Sequence, residues 1–581
     1  MAGDLHRRDW LKVAGAGLAG AAGIGVLPGC QPAAPALADL PGGFTGVALE
    51  RGHSLRPFWQ RLAQGIELPA PAAVHRAPVV IAGGGMAGLA AARALELAGV
   101  QEAVLIDTQT AMGGNSQGGQ LKGIDCPLGA HYLPVPGDSA QEVQDWLQEL
   151  GLRKQVAGRW QYDERYLCHS PQERLYLGGQ WQEGLLPVHG VGARTLAQYA
   201  LFERCMSTAM AEAAFAMPSI RVWQREGRLP EAHARLDAQR FDHWLAQQGL
   251  SDEYLLWYLN YCCRDDFGAG IHRVSAWAGL HYFASRHGFH APRAAEDFHP
   301  DEDGEQVLTW PQGNGWLSQQ LVHRLKATQL STDCSVLSIT DGRDGVQLDV
   351  WHHGRQQHER WLAERCVVAL PSFVAARVLR NPPDFLRTVA QRLDWAPWLV
   401  ANIHIDRQLV DYPGAEPAWD NVLYQDGNQG GLGYVDAGSQ RLDRISRQPT
   451  VLSYYQALGD WGQGRQQLLG QPYEFWRERI VGTLSGPHSD LLLRATRMEI
   501  TRYGHAMPIP RVGDQQVLSQ IALQSNSNKR RALSNGERLE LLPAPVSGRL
   551  IFAHSDWAGY SVLEEAFTRG HHAGLWAAQL S

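Results

Sequence analysis

An α/β fold, with a parallel sheet assembled from separated stretches of chain and a second, mixed α+β domain between them, is what the sequence predicts. Three observations carry this: a strand–glycine turn–helix–strand unit beginning at Pro78, two short apolar runs of the same texture far downstream, and long mixed stretches between them. The unit reads Val79-Val80-Ile81-Ala82, then Gly83-Gly84-Gly85-Met86-Ala87-Gly88, then a helix-period stretch from Leu89 to Ala98. It closes with Ala103-Val104-Leu105-Ile106 and Asp107. A continuous apolar run bounded by glycines reads as a strand buried on both faces, and its alternation with a helix is the βαβ unit of a parallel sheet. The later runs are Arg365 to Leu370 and Arg549 to Ala553. On this reading 78–135, 305–372 and 546–581 form a discontinuous Rossmann-like nucleotide domain, and 136–304 with 373–545 a mixed α+β substrate domain.

What precedes the unit reads as an address and a spacer. Arg7-Arg8-Asp9-Trp10-Leu11-Lys12, a weakly apolar stretch to Val26, and Leu27-Pro28-Gly29-Cys30 have the order of an export signal, too short to span a bilayer as a stable helix. The paired arginines resemble a twin-arginine signal, and Leu-x-Gly-Cys a bacterial lipoprotein box. Together they imply an exported, periplasm-facing protein anchored by lipid at Cys30. Residues 31–77, rich in Pro and Ala, are expected to be a tether.

Composition narrows the function classes. The 581 residues carry a net charge of -7, with 52 Lys+Arg against 59 Asp+Glu, so there is no positive excess to neutralise a nucleic-acid backbone. Seven cysteines follow Cys30, an odd number without a C-x-x-C pair, which argues against a disulfide framework and a structural zinc site. No metal site is expected. The only contact expected with a membrane is the N-terminal anchor.

The glycine turn is specific because of its context. Gly83-x-Gly85-x-x-Gly88 follows a strand, opens a helix, and is followed by an acidic residue, Asp107, at the end of the next strand. Gly83 permits the tight turn, Gly85 lets the backbone approach a pyrophosphate, and Gly88 lets helix and strand pack closely; Met86 and Ala87 open the helix whose unpaired N–H groups face the phosphates. Asp107 would accept from a ribose with a free 2′-hydroxyl, which fits FAD or NAD and disfavours NADP.

Gly113-Gly114-Asn115-Ser116 follow, and near the C-terminus stand Ile551-Phe552-Ala553-His554-Ser555-Asp556 with Gly559, Glu564-Glu565-Ala566 and Gly570. Here the chain resembles the flavin-containing amine oxidase superfamily. Leu128-Gly129-Ala130-His131-Tyr132, Trp310-Pro311-Gln312-Gly313-Asn314-Gly315 and Val368-Ala369-Leu370-Pro371 extend the likeness in the expected order. The resemblance implies FAD, with Gly113, Gly114 and Ser116 on the phosphate side and Asp556 as the C-terminal carboxylate. The helix from about Val562 would lie under the flavin. Asn115 stands where the superfamily commonly has Arg, and the lysine that many members keep near the flavin has no counterpart, since no lysine occurs between Lys326 and Lys529. No Cys or Tyr stands where a covalent flavin link could be argued, so the FAD is expected to be non-covalent.

The candidate catalytic residues are His131, Lys122 and His505, the last within Arg502 to Pro510. Imidazole titrates near neutrality and can act as base or hydrogen-bond partner. Asn260 to Gly268, with Arg264 beside Asp265 and Asp266, and the aromatics Trp419, Tyr434, Tyr454 and Tyr455 read as cavity wall for a cationic amine or as an internal Arg–Asp pair with packed rings. The expected activity is oxidation of a C–N bond in a small-molecule amine, polyamine or amino acid by hydride transfer to flavin, with electrons passed to oxygen, a quinone or a periplasmic carrier. The rivals are desaturation or isomerisation of an apolar C–C bond, and a flavin-loaded binding or assembly protein without turnover.

Overall fold

A computed structural model describes residues 37–169, 171–292, 306–424, 430–441, 448–524, 530–532 and 538–579. The expected signal at 1–30, with Cys30, lies outside the described residues.

Two sheets organise the chain. The nucleotide sheet runs in the order Gln329–Ser331, Val104–Ile106, Ala73–Ala82, Gln357–Val368, Val346–His352, Cys334–Asp341. Leu550–Phe552 pairs in parallel with Gln357–Val368, Phe552 opposite Val368. Its central strands are apolar on both faces because helices cover both: Met86–Leu97 and Leu563–Gln579 bury one side, Ser372–Val378, Asp384–Arg392 and Asp514–Gln524 the other. The two helices of the first side approach closely at Gly570, where a Cβ would lie 2.0 Å from the Ala87 carbonyl oxygen.

The substrate sheet runs Gly42–Thr45, Ala495–Pro508, Trp395–Ile405, Thr450–Ala457, Gly431–Asp436, Asp420–Leu423, Glu173–Leu177, Gln180–Glu183. Trp395–Ile405 is buried along its whole length. Helices between Ala193 and Tyr282, other than Ile220–Glu226, pack on this sheet through Tyr199, Phe202, Leu255, Trp277 and their neighbours.

Two boundaries differ from the sequence reading. The described part of the expected tether at 31–77 is folded: it supplies an edge strand, Gly42–Thr45, parallel to Ala495–Pro508, then the helices Leu49–Ser54 and Arg56–Ala63. Spaced anchors such as Phe44 and Trp59 hold it down, a pattern that a composition average over Pro and Ala conceals. The first nucleotide strand also starts at Ala73, before Pro78. The parallel register runs from Ala77 opposite Ala363 to Val79 opposite Arg365, so Pro78, which has no N–H to donate, falls between paired positions.

Several helices expected in the substrate domain pack on the nucleotide sheet or its helices instead. Trp146 of Gln141–Glu149 stacks on Phe567 with ring centroids 4.9 Å apart, and Ile220 and Trp223 join the core under Val80 and Val368. Amphipathic periodicity shows that a helix has a buried face. It does not say which sheet that face will cover.

Candidate active site

A cavity of about 490 Å³ runs between the two sheets, from the glycine turn to an aromatic and acidic pocket. At the glycine end the wall is backbone. Gly83 has φ +106°, and a Cβ there would lie 2.4 Å from the Ala369 carbonyl oxygen of the neighbouring segment. At Gly88 a Cβ would fall 1.8 Å from the Gly83 carbonyl oxygen, so these two glycines let turn, helix and strand close on one another. Gly85 differs: a Cβ there would meet nothing nearer than Gly114 Cα at 3.9 Å. Its open side faces the cavity, beside the first backbone groups of the helix Met86–Leu97, and Met86 and Ala87 also line it.

The second glycine pair closes the cradle. Gly113 N–H donates to Gly84 O at 2.8 Å, and Gly113 and Gly114 take φ +127° and +59°, conformations that favour glycine. Ser116 N–H donates to Gly113 O at 2.9 Å, and the Asn115 amide donates to Ala506 O across the cavity. Asp107 accepts from Gly84 N–H and Gln109 N–H, each at 2.7 Å, one on each oxygen. Burial pushes its pKa up despite those two bonds. Each oxygen keeps a further lone pair for a ligand hydroxyl.

Asp556 enters from the C-terminal segment. One of its oxygens accepts from Ser372 N–H at 2.8 Å and Ser372 Oγ at 2.9 Å; the other lies 3.0 Å from His554 Nδ1. Burial alone would raise this carboxyl, but His554 and the Ser372 bonds outweigh it and hold the pKa below the usual value. Val562, Leu563 and Ala566 complete this wall. Open backbone over Gly85, a helix start, and two buried carboxylates held by their own donors fit a dinucleotide such as FAD.

At the far end the wall is side chain. His131 packs on Tyr455 at 4.3 Å between centroids and on Trp419 at 5.5 Å, and burial lowers its pKa to about 3, so it stays neutral. Tyr132 Oη donates to Asp265 at 3.0 Å. Tyr455 Oη and Tyr503 Oη donate to the carbonyls of Gly129 and Leu128, fixing the loop that carries His131. Arg286 pairs with Asp266 and with Glu564, the latter at 3.3 Å. Asp265, also in the cavity wall, takes the Tyr132 hydroxyl as its partner while that guanidinium is held by Asp266 and Glu564. Burial and the charge of Asp266 push its pKa up to about 6, against the pull of Tyr132 and Arg286. Asp420 lies near enough to be raised by Asp265 after burial, and accepts from Tyr261.

The expected site residues divide as follows. Gly83, Gly85, Met86, Ala87, Asp107, Gly113, Gly114, Asn115, Ser116, Asp556 and Val562 line the cavity, as do His131 and His505. Gly88 lies behind the turn and shapes it. His505 sits at the rim, stacked on Phe373 at 4.5 Å, its pKa lowered to about 4 by desolvation and by Arg465 and Arg377. Lys122 is a correction. It occupies the exposed turn between Gly118–Leu121 and Ile124–Pro127, at φ +52°, with Nζ donating to Thr496 Oγ1 at 3.1 Å outside the cavity. Lysine at this spacing from His131 is carried away by a tight hairpin whose turn points to solvent.

Sequence reasoning missed Arg286, Trp395, Trp398 and the N-terminal Val47, Leu49 and His53, all in the wall. Trp395 and Trp398 flank Pro397 at the start of a strand that reads only as apolar; Arg286 had no signal. No lysine or cysteine lines the cavity among the described residues. Nor do they contain a cluster of three or more His, Cys, Asp or Glu side chains able to hold a metal ion, or a helix long and apolar enough to cross a membrane.

A family model described as flavin containing amine oxidoreductase matches residues 86–461. A search of curated protein sequences returns no match. Among solved structures, wild-type putrescine oxidase bound to putrescine superposes with a TM-score of 0.58 at 16% identity, over 86% of this chain and 99% of that one. Cyclohexylamine oxidase from Brevibacterium oxydans IH-35A gives 0.57 at 14%, over 87% and 99%. A fatty acid isomerase from P. acnes that produces CLA gives 0.55 at 13%, over 87% and 97%. These likenesses describe the fold. The family match spans well over half the chain, and with the glycine cradle and its two carboxylates it establishes the protein as a member of the flavin-containing amine oxidoreductase family, an FAD-dependent oxidoreductase.

Proposed function

We propose that the protein oxidises a C–N bond of a primary or secondary amine, a polyamine or an amino acid, delivering a hydride to non-covalently held FAD. The carrying observation is Asp265, a carboxylate in the cavity wall with Tyr132, His131 and Tyr455, while the neighbouring Arg286 is paired with Asp266 and Glu564. Such a carboxylate attracts a cationic nitrogen, and the rings add cation–π attraction and exclude water. Bound flavin supplies the two-electron acceptor.

The chain's own residues hold and orient. His131, neutral at any physiological pH, offers a hydrogen bond rather than a proton reservoir. Tyr132 orients the Asp265 carboxylate, and Tyr455 and Tyr503 pin the His131 loop. The lack of lysine among the described cavity residues supports electron transfer to a quinone or periplasmic carrier in preference to the oxygen chemistry of lysine-bearing relatives. That acceptor accords with the export signal read at 1–30 and lipid anchoring at Cys30, which would hold the enzyme beside the membrane.

The absence of lysine from the described cavity lining, with Trp395 and Trp398 in its wall, supports a second reading: desaturation or isomerisation of an apolar C–C bond. Anaerobic exposure of the holoprotein to amines, amino acids and an apolar polyene in turn, with both flavin reduction and the product followed because isomerisation leaves the flavin oxidised, separates the two. Bleaching by an amine supports the first, and bleaching by the polyene alone overturns it.

A further inference from the structure

The segment ahead of the nucleotide strand touches both domains beside the cofactor end of the cavity. Its strand Gly42–Thr45 adds to the edge of the substrate sheet, with Phe44 opposite Ile500 and the Arg502 guanidinium 3.5 Å over the Phe44 ring. The chain then crosses to the nucleotide domain. Ala48 N–H donates to Gln109 Oε1 at 3.1 Å, Arg51 donates to Thr108 O at 2.9 Å, and Arg51 pairs with Asp333 at 2.7 Å. Farther along, Trp59 Nε1 donates to Leu337 O at 3.2 Å, and Phe58 packs on Trp351 at 5.2 Å.

Thr108 and Gln109 follow Asp107 directly, so the segment is fastened to the very loop that presents the ribose-binding carboxylate. Between its two attachments Val47, Leu49 and His53 face into the cavity. All of this lies ahead of Met86, where the family match begins.

We propose that residues 42–63 form a strap over the adenosine end of the FAD cavity and set how slowly the cofactor leaves. FAD can dissociate only when the ties at Ala48 and Arg51 open, so the strap lowers the release rate without contributing to the chemistry. Arg51 acts as a positioning residue: it reaches the cofactor loop through the Thr108 carbonyl and holds Leu49 and His53 against the cavity.

The test is FAD release from the purified holoprotein after dilution, followed as the rise of free-flavin fluorescence. Loss of the Arg51 ties in Arg51→Ala is expected to speed release at least about fivefold, the equivalent of one ordinary hydrogen bond. Arg51→Lys, which keeps the charge near Asp333, is expected to restore part of the slowness. Leu49→Ala removes cavity wall and leaves the ties intact; it is expected to speed release too, and carries the test if Arg51→Ala does not fold. Unchanged release in Leu49→Ala together with unchanged release in a folded Arg51→Ala would overturn the strap. So would acceleration accompanied by a matching fall in the melting temperature of the apoprotein, which would mark general loosening.

Discussion

The two ends of the cavity are built from different materials. The cofactor end is largely backbone from one motif and its sequel, Gly83, Gly85 to Ala87 and Gly113 to Ser116, joined by the carboxylates of Asp107 and Asp556. The substrate end is made of side chains from segments far apart in the chain, among them Tyr132, Asp265, Arg286, Trp398 and Tyr455, with Trp419 packed against His131 and Tyr132. Backbone recognition serves a ligand that is always the same, since a pyrophosphate needs N–H groups and room. Side-chain recognition can be retuned position by position, so the fold can keep its cofactor while changing its substrate.

The sharpest way to break this contrast is inside the glycine motif. A Gly85→Val side chain projects into open cavity, and overpacking of about 3 kcal/mol there weakens FAD roughly a hundredfold while the apoprotein still folds. Gly88→Val meets the Gly83 carbonyl instead and is expected to lower stability by about 3 kcal/mol. Flavin content and the apoprotein's melting temperature, measured on both, separate the two roles; equal effects of both substitutions on folding would erase the distinction.

Next in size is Asp107→Ala, which leaves Gly84 N–H and Gln109 N–H without their acceptor and removes the acceptor expected for a ribose hydroxyl. FAD affinity by titration of the apoprotein should fall by about 2 kcal/mol, roughly thirtyfold.

At the other end, Asp265→Asn should leave flavin content alone and raise KM for an amine about tenfold. In the wild type the carboxyl ionises near pH 6, raised by burial and by Asp266, so it is charged above that pH and neutral below it. KM for a cationic substrate should therefore climb as pH falls below about 6, and that limb should vanish in Asp265→Asn. A limb that survives the substitution assigns cation binding elsewhere. The smallest effect is expected of Lys122→Ala, within about 0.5 kcal/mol in stability and twofold in kcat, because its amine bonds Thr496 outside the cavity.

The same contrast explains what could be read from the chain alone. The turn was legible because steric necessity confines glycine to positions such as Gly83 and Gly88, and a carboxylate at a strand end has few other uses. Asp556 was legible through its neighbours Phe552 to Ser555. The partnership of Tyr132 with Asp265 was not, because 133 residues separate them and only the packed fold brings them to 3.0 Å. Asp265 and Asp266 are adjacent in sequence and both line the cavity, yet Asp266 pairs with Arg286 and Asp265 takes a hydrogen bond from Tyr132. Arg264 beside them suggested a local ion pair, and the actual partner came from a later helix. The strap was hidden for another reason: a Pro- and Ala-rich composition describes its average and not Phe44, Arg51 or Trp59, which fasten it.

The measurement that bears most directly on the central claim is the visible spectrum of the purified protein under anaerobic titration. A flavin band near ~450 nm that bleaches on adding an amine, and returns when a quinone is supplied, is the predicted result. A band that no amine bleaches while an apolar polyene does, or a protein that carries no flavin at all, would contradict it.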